Sequence, residues 1–312
     1  MDTQKTKIIF YAKRNFGEKM NASFDFIKEN WKPILKYTTY LLLPLCLLQA
    51  LSLNGLMSGT LNMASLQQNP GVAPGLASFG IMFFVSYGAM LLCAMIGGVL
   101  ISSLLYALVQ LYNSREERLV GITMKELKAP LMHNIKRSFI LILVLIPITI
   151  GAFALIAVLG SLMPFLLIFL IPGFIAFMIP IMLLPSIYLF EKEGVWAAFT
   201  KTFRLGFATW GGIFAIVFVM GIIAGILQGI TMTPWYVATI VKYMFTLSDP
   251  GSAVGVSPLY NLLVYLLAIL QSFGTYLAMT FTLVGLAYQY AHANEVVGNV
   301  SVESDIEQFE QL

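Results

Sequence analysis

Charge is what this chain lacks. Between Tyr37 and Ser114, and again between Ser138 and Phe190, there is no Lys, Arg, Asp or Glu, and from Leu205 to Asn294 only Lys242 and Asp249. Runs this long and apolar exclude a soluble domain. In lipid every backbone amide must find an internal partner, which leaves helices or a closed barrel. The runs are continuously apolar rather than alternating, so helices are expected. An empty membrane interior also offers no ionisable residue to serve as acid, base or ion ligand.

Other scarcities narrow the chemistry further. The chain holds two histidines and two cysteines. His133 and His292 lie far apart, with no Cys, His or carboxylate at ligand spacing, so no metal or other cofactor is expected. Cys46 and Cys93 fall inside apolar runs and read as small buried hydrophobes, not as a disulfide framework. No HExxH, GxSxG or phosphate-binding loop occurs, and Glu116-Glu117 is followed by Gly121 where an EExxxR motif needs Arg. The expectation is a protein that is not an enzyme and has no nucleic-acid partner.

What the chain has is apolar length. Hydrophobic residues make up 59% and charged residues 11%, against ~45–50% and ~25% in soluble domains. At about 20 residues per crossing, six spans fit near 36–57, 79–112, 138–160, 164–190, 208–232 and 258–290. The fold class is therefore all-α, a polytopic transmembrane bundle, with 1–294 as one membrane domain and 295–312 as an acidic tail. The third span is the plainest: fifteen Phe, Ile, Leu or Val residues lie between Phe139 and Leu159, worth roughly −6 kcal/mol of insertion at about −0.4 each. Gly160, Ser161 and Pro164 then predict a tight hairpin between spans three and four.

Sidedness follows from the basic residues. Eight precede span one, six follow span two and three follow span four, whereas the opposite loops hold Lys242 alone. The positive-inside rule puts both termini on the cytoplasmic side of the membrane. No cleavable leader is read before span one.

Three stripes interrupt the charged segments at helical spacing: Phe16, Met20, Phe24, Ile27 and Trp31; Met124, Leu127, Leu131, Ile135 and Phe139; Trp196, Phe199, Phe203, Phe207 and Trp210. Each runs into a span, which gives three units of an amphipathic cytoplasmic entry helix and a two-helix hairpin. The first and third share Phe-x6-Trp. These helices either lie among lipid headgroups or serve as elbows packed on the ends of the bundle. Expected partners are the lipid bilayer and other membrane proteins; the sequence carries no signal for oligomeric state.

Within the spans, Ala94, Gly98 and Ser102, and Gly221, Gly225 and Gly229, form small-xxx-small rows expected to act as seams within the chain. Pro172, Gly173, Pro180 and Pro185 predict a kinked or interrupted span four, either static or the moving part of a carrier. The polar groups Gln49, Asn54, Gln110, Asn113, Gln228, Asn261, Gln271 and Gln289 either bond between helices or line a polar path.

The run Arg14-Asn15-Phe16-Gly17-Glu18, Asn21-Ala22-Ser23-Phe24, Phe26-Ile27-Lys28 and Asn30-Trp31 resembles the entry segment of a group of uncharacterised Bacteroidetes inner-membrane proteins. Glu191 through Trp210 is similar to the membrane domain found beside glycerophosphodiester phosphodiesterases and to YciC-like proteins. The resemblance implies a membrane domain without the catalytic barrel. Two leading functions follow: a non-catalytic protein that organises partners at the cytoplasmic leaflet, or a carrier for an apolar or neutral molecule.

Overall fold

Three helix starts share one register. In the computed structural model, which describes residues 7–67, 80–248 and 257–298, helices α1 (Phe16–Glu29), α4 (Met124–Leu162) and α7 (Val195–Ala208) have Asn15, Thr123 and Gly194 as N-caps. Four, eight, eleven and fifteen residues on from each cap the side chain is buried: Lys19, Ser23, Phe26 and Asn30; Leu127, Leu131, Asn134 and Ser138; Ala198, Thr202, Leu205 and Thr209. An aromatic follows each time, as Trp31, Phe139 and Trp210. The first two starts carry the same capping box, Asn15 with Glu18 and Thr123 with Glu126, which supplies orphan first-turn donors with acceptors. The three entries are thus repeats in register as well as in composition.

The first and third also bend alike. Ser23 Oγ donates to the Lys19 carbonyl and Thr202 Oγ1 to that of Ala198, both at 2.8 Å. At the junctions Asn30 Nδ2 donates to the Phe26 carbonyl (2.9 Å) and Thr209 Oγ1 to that of Leu205 (2.9 Å). Both junction residues leave helical geometry, at φ −112°, ψ 20° and φ −124°, ψ 26°. A single residue therefore separates α1 from α2 (Trp31–Gln67), and α7 from α8 (Trp210–Ser248). The second entry differs from expectation. Ser138 spends its hydroxyl sideways on Ser103 Oγ (3.0 Å), and α4 runs from entry to span unbroken.

The remaining long helices are α3 (Gly80–Ser114) and α9 (Pro258–Gly298). Six helical stretches are long and apolar enough to cross a membrane: Trp31–Thr60, Gly80–Ser114, Met124–Leu162, Pro164–Phe190, Trp210–Met244 and Pro258–Gly298. The protein is an all-α polytopic bundle. The hairpin between the third and fourth closes where Gly160, lacking a Cβ, admits Leu167, whose Cδ2 would lie 2.6 Å from one. Span four is interrupted once. A 3-10 turn (Pro164–Leu166) leads into α5 (Leu167–Ile181), two residues intervene, and α6 (Leu184–Phe190) follows. The break falls between Pro180 and Pro185. At Pro172 and Gly173 the helix runs on.

The chain divides into two compact units. One comprises Met1–Ile34, Ser102–Ile222 and Thr280–Leu312; the other comprises Leu35–Ile101 and Ile223–Met279. Among the described residues, every charged one except Lys36 and Lys242 belongs to the first. The second is held by Ala50, Trp235, Ala238, Val264 and Ala268. The acidic tail, apart from its first residues, lies outside the described residues.

Candidate functional site

The polar groups of the charged unit form a closed series of contacts between hairpins and entry helices. Asn134 Nδ2 on α4 donates to Gln110 Oε1 on α3 (3.3 Å), and Gln110 Nε2 donates to the Leu189 carbonyl of α6 (2.8 Å). Lys201 Nζ on α7 pairs with Glu191, just past α6, at 2.8 Å. Lys19 Nζ on α1 donates to Gln289 Oε1 on α9, at 2.7 Å. Each hairpin thereby engages the entry helix that follows it, and the last engages the first.

Glu191 is the hub. Besides Lys201 it accepts from Tyr290 Oη (2.7 Å) and Asn294 Nδ2 (3.1 Å) on α9. Glu29 plays a lesser version of the role, accepting from Tyr112 Oη (3.2 Å) and pairing with Arg118 at 2.5 Å. Arg118 holds φ at 58°, a left-handed conformation that costs a non-glycine residue about 1–2 kcal/mol. Arg137 lies over the Tyr188 ring and donates to the carbonyls of Tyr188 and Glu193. The segment before α1 is fastened too: Lys7 Nζ donates to the Asn113 carbonyl (2.6 Å), and the Arg14 amide donates to His292 Nδ1 (3.0 Å).

Lys19 stands apart because, among the described residues, no carboxylate meets it. The residue is 4% exposed, and burial alone holds its ammonium below lysine's usual range. The amide Nε2 of its partner Gln289 has no acceptor.

The second stripe packs inward at Leu127 and Leu131, whereas the first and third lie largely off the packed face. On α7 the packed face is Ala198, Thr202, Leu205 and Gly206, while Trp196 is 68% and Phe207 50% exposed. Phe199 and Phe203 are half-buried and continue the row of ring contacts from Trp196 to Phe207. On α1 Met20 is buried, Phe24 and Ile27 are half-buried, and Phe16 and Trp31 are exposed. Between apolar helices and apolar lipid there is little to gain from hiding an aromatic. Close approach through small residues decides the packed face instead.

The expected glycine seam on α8 is corrected on that ground. A Cβ at Gly221, Gly225 or Gly229 would meet nothing within 4 Å among the described residues, so the row makes no close approach there. The row on α3 is one residue out of phase: Gly98 is likewise open and Ala94 exposed, whereas at Gly97 a Cβ would collide with the Tyr276 ring. Tyr276 Oη is tied to Gln49 Oε1 (2.8 Å) and the Cys93 carbonyl (3.1 Å). Further close approaches include Gly55 on Ser86, Gly59 on Phe83, Gly206 on Pro180, Gly274 on Thr231 and Gly285 on Ile216, none of which the spacing pattern singled out.

Among the polar residues of the spans, Gln49 bonds Tyr276, Asn54 accepts from Trp235 Nε1 (3.3 Å) and Gln228 reaches Thr275 (3.5 Å). With Gln110 and Gln289 these are bonds between helices. Cys46 and Cys93 are buried free thiols. Comparison with protein-family models, with characterised proteins and with solved structures gives no match for this chain.

Proposed function

We propose that this is a non-catalytic integral protein of a bacterial cytoplasmic membrane, with both termini in the cytoplasm, that organises lipid or neighbouring membrane proteins at the cytoplasmic leaflet. The observation that carries it is the exposed aromatic flank of α7, Trp196 to Phe207, beside a packed face of small residues. A helix serving only as an elbow has no use for an outward row of rings; one lying among headgroups does. The basic residues, seventeen flanking the entries against Lys242 opposite, support the same side. Brominated lipids test it. Bromines near the glycerol should quench a fluorescence component that Trp196→Phe removes, and bromines at chain ends should not; the reverse order would sink the reading.

A carrier is the second reading, favoured by the interruption of span four at Met182 and Leu183. In a background with Cys46 and Cys93 replaced by alanine, single cysteines along α5, α8 and α9 should react with a polar thiol reagent only near the helix ends. Labelling that continues through α5 to the break would favour the carrier.

A further inference from the structure

Three elements bring hydrogen-bond donors together, and among the described residues a single side-chain acceptor, Gln289 Oε1, meets them. Lys19 Nζ from α1 has one acceptor, Gln289 Oε1, which leaves two of its three N–H groups unused. Gln289 is fully buried, and its Nε2 has no partner. The third element is the first turn of α8. A Cβ on Gly212 would sit 3.0 Å from Gln289 Nε2 and 3.1 Å from both Gln289 Oε1 and Lys19 Nζ, so this glycine lets the first turn of α8 pack directly on both side chains. The N–H groups of Trp210, Gly211 and Gly212 open a 39-residue helix and have no intrahelical acceptor, and the helix dipole adds positive potential there.

A buried ammonium without a counter-charge is costly, and a buried amide without an acceptor adds to the cost. An anion removes both penalties together. The surroundings suggest its kind. Donors from three elements, one of them a helix N-terminus, suit an oxyanion with several acceptor oxygens on one centre, as a phosphate has. The outer edge of this contact is accessible: Gly211 is exposed and open, and Phe207, Phe214 and Phe218 are exposed apolar rings.

We infer that Lys19, Gln289 and the Gly211–Gly212 turn of α8 form a binding site for a phosphate group. Its source is free phosphate or the headgroup of an anionic phospholipid, the latter resting on the interfacial reading above. Such a ligand would tie α1 to α8 and α9, joining the first entry helix to the last hairpin.

The test uses the full chain, stripped of lipid in a neutral detergent, with thermal unfolding followed against added ligand. Inorganic phosphate and dihexanoyl phosphatidic acid are titrated separately, with acetate and dihexanoylglycerol as controls at matched ionic strength. A saturable rise in Tm of several degrees with a phosphate compound, absent with both controls, is expected. Lys19→Met should abolish the rise, and Lys28→Met, on the exposed face of α1, should keep it. If Lys19→Met does not fold, Gln289→Met serves in its place. Saturation by inorganic phosphate identifies the free ion, and response to the lipid alone identifies the headgroup. No saturable rise, an equal rise with acetate, or an undiminished rise in the variant overturns the site. Quenching of Trp196 by brominated lipid is read independently, so either reading can fail without the other.

Discussion

The indole Nε1 of Trp210 donates to the carbonyl of Ala176 at 3.0 Å, the carbonyl four residues before Pro180. Proline has no N–H to give that oxygen, so a side chain from another helix stands in for the missing helical bond. The same proline receives Gly206, whose Cβ would lie 2.6 Å from the Pro180 Cβ and 2.8 Å from its Cα. One residue thus fixes both the end of α5 and the seat of α7. Trp210→Phe, which keeps an aromatic ring against Phe214, should orphan the Ala176 carbonyl. The expected cost is about 1–3 kcal/mol, read as a lower Tm in detergent; an unchanged Tm would mean the bond contributes nothing.

The two kinds of glycine should respond with opposite sign. Gly206→Ala forces a Cβ into the backbone and ring of Pro180 and should destabilise by about 1–3 kcal/mol. Gly225→Ala puts a methyl into open space within a helix, where alanine is favoured over glycine by up to ~1 kcal/mol. Thermal unfolding of the two variants beside wild type decides it. A loss at Gly225 matching that at Gly206 would show that the α8 row is a seam after all, between copies of the chain.

Hydropathy made the six spans legible, because lipid filters sequence by length and apolarity before any packing matters. The three entries were legible as stripes, and the second buries its stripe at Leu127 and Leu131, but the packed face of the first and third was not legible. The rule that an apolar stripe turns inward belongs to water, and Trp196 and Phe207 follow the other rule. What the eye passes over as filler, Ser23, Asn30, Thr202 and Thr209, sets the bends and the register. The bond of Trp210 to Ala176 and the approach of Gly97 to Tyr276 depend on residues far apart in the chain, which no local periodicity encodes. Span four lay in between: its prolines announced a break, yet only the pair that brackets Met182 and Leu183 makes one.

Glu191 and Lys201 should be strongly coupled. Their side chains are 15% and 20% exposed, and Glu191 also serves Tyr290 and Asn294. Glu191→Ala leaves three donors without an acceptor, and removing one partner of a largely buried pair costs on the order of 3 kcal/mol. Lys201→Ala leaves Glu191 its two neutral donors and should cost less. The double variant should be less damaging than the sum of the singles, with a coupling of about 1–3 kcal/mol. Additive losses would show that the pair is solvated and that Tyr290 and Asn294 carry the hub.

Lys19 should leave its mark on the pH dependence of stability. Burial lowers its pKa in the folded chain below lysine's ordinary 10.5, while unfolding restores the ordinary value. Between those two values the unfolded chain binds more protons, so stability rises with pH across that window and the burial penalty is full below it. Arg14 and His292 are the charged and titratable neighbours on the same side, since both Lys19 and Arg14 act electrostatically on His292. Comparing wild type with Lys19→Met cancels what those neighbours contribute in common. In lipid-free protein the difference in unfolding free energy should move in favour of the wild type as pH climbs towards 10.5. Saturating phosphate should flatten that trend, because a bound anion restores the charged form of the lysine. A difference that is flat without phosphate would mean that water reaches Lys19 and that its burial is not felt.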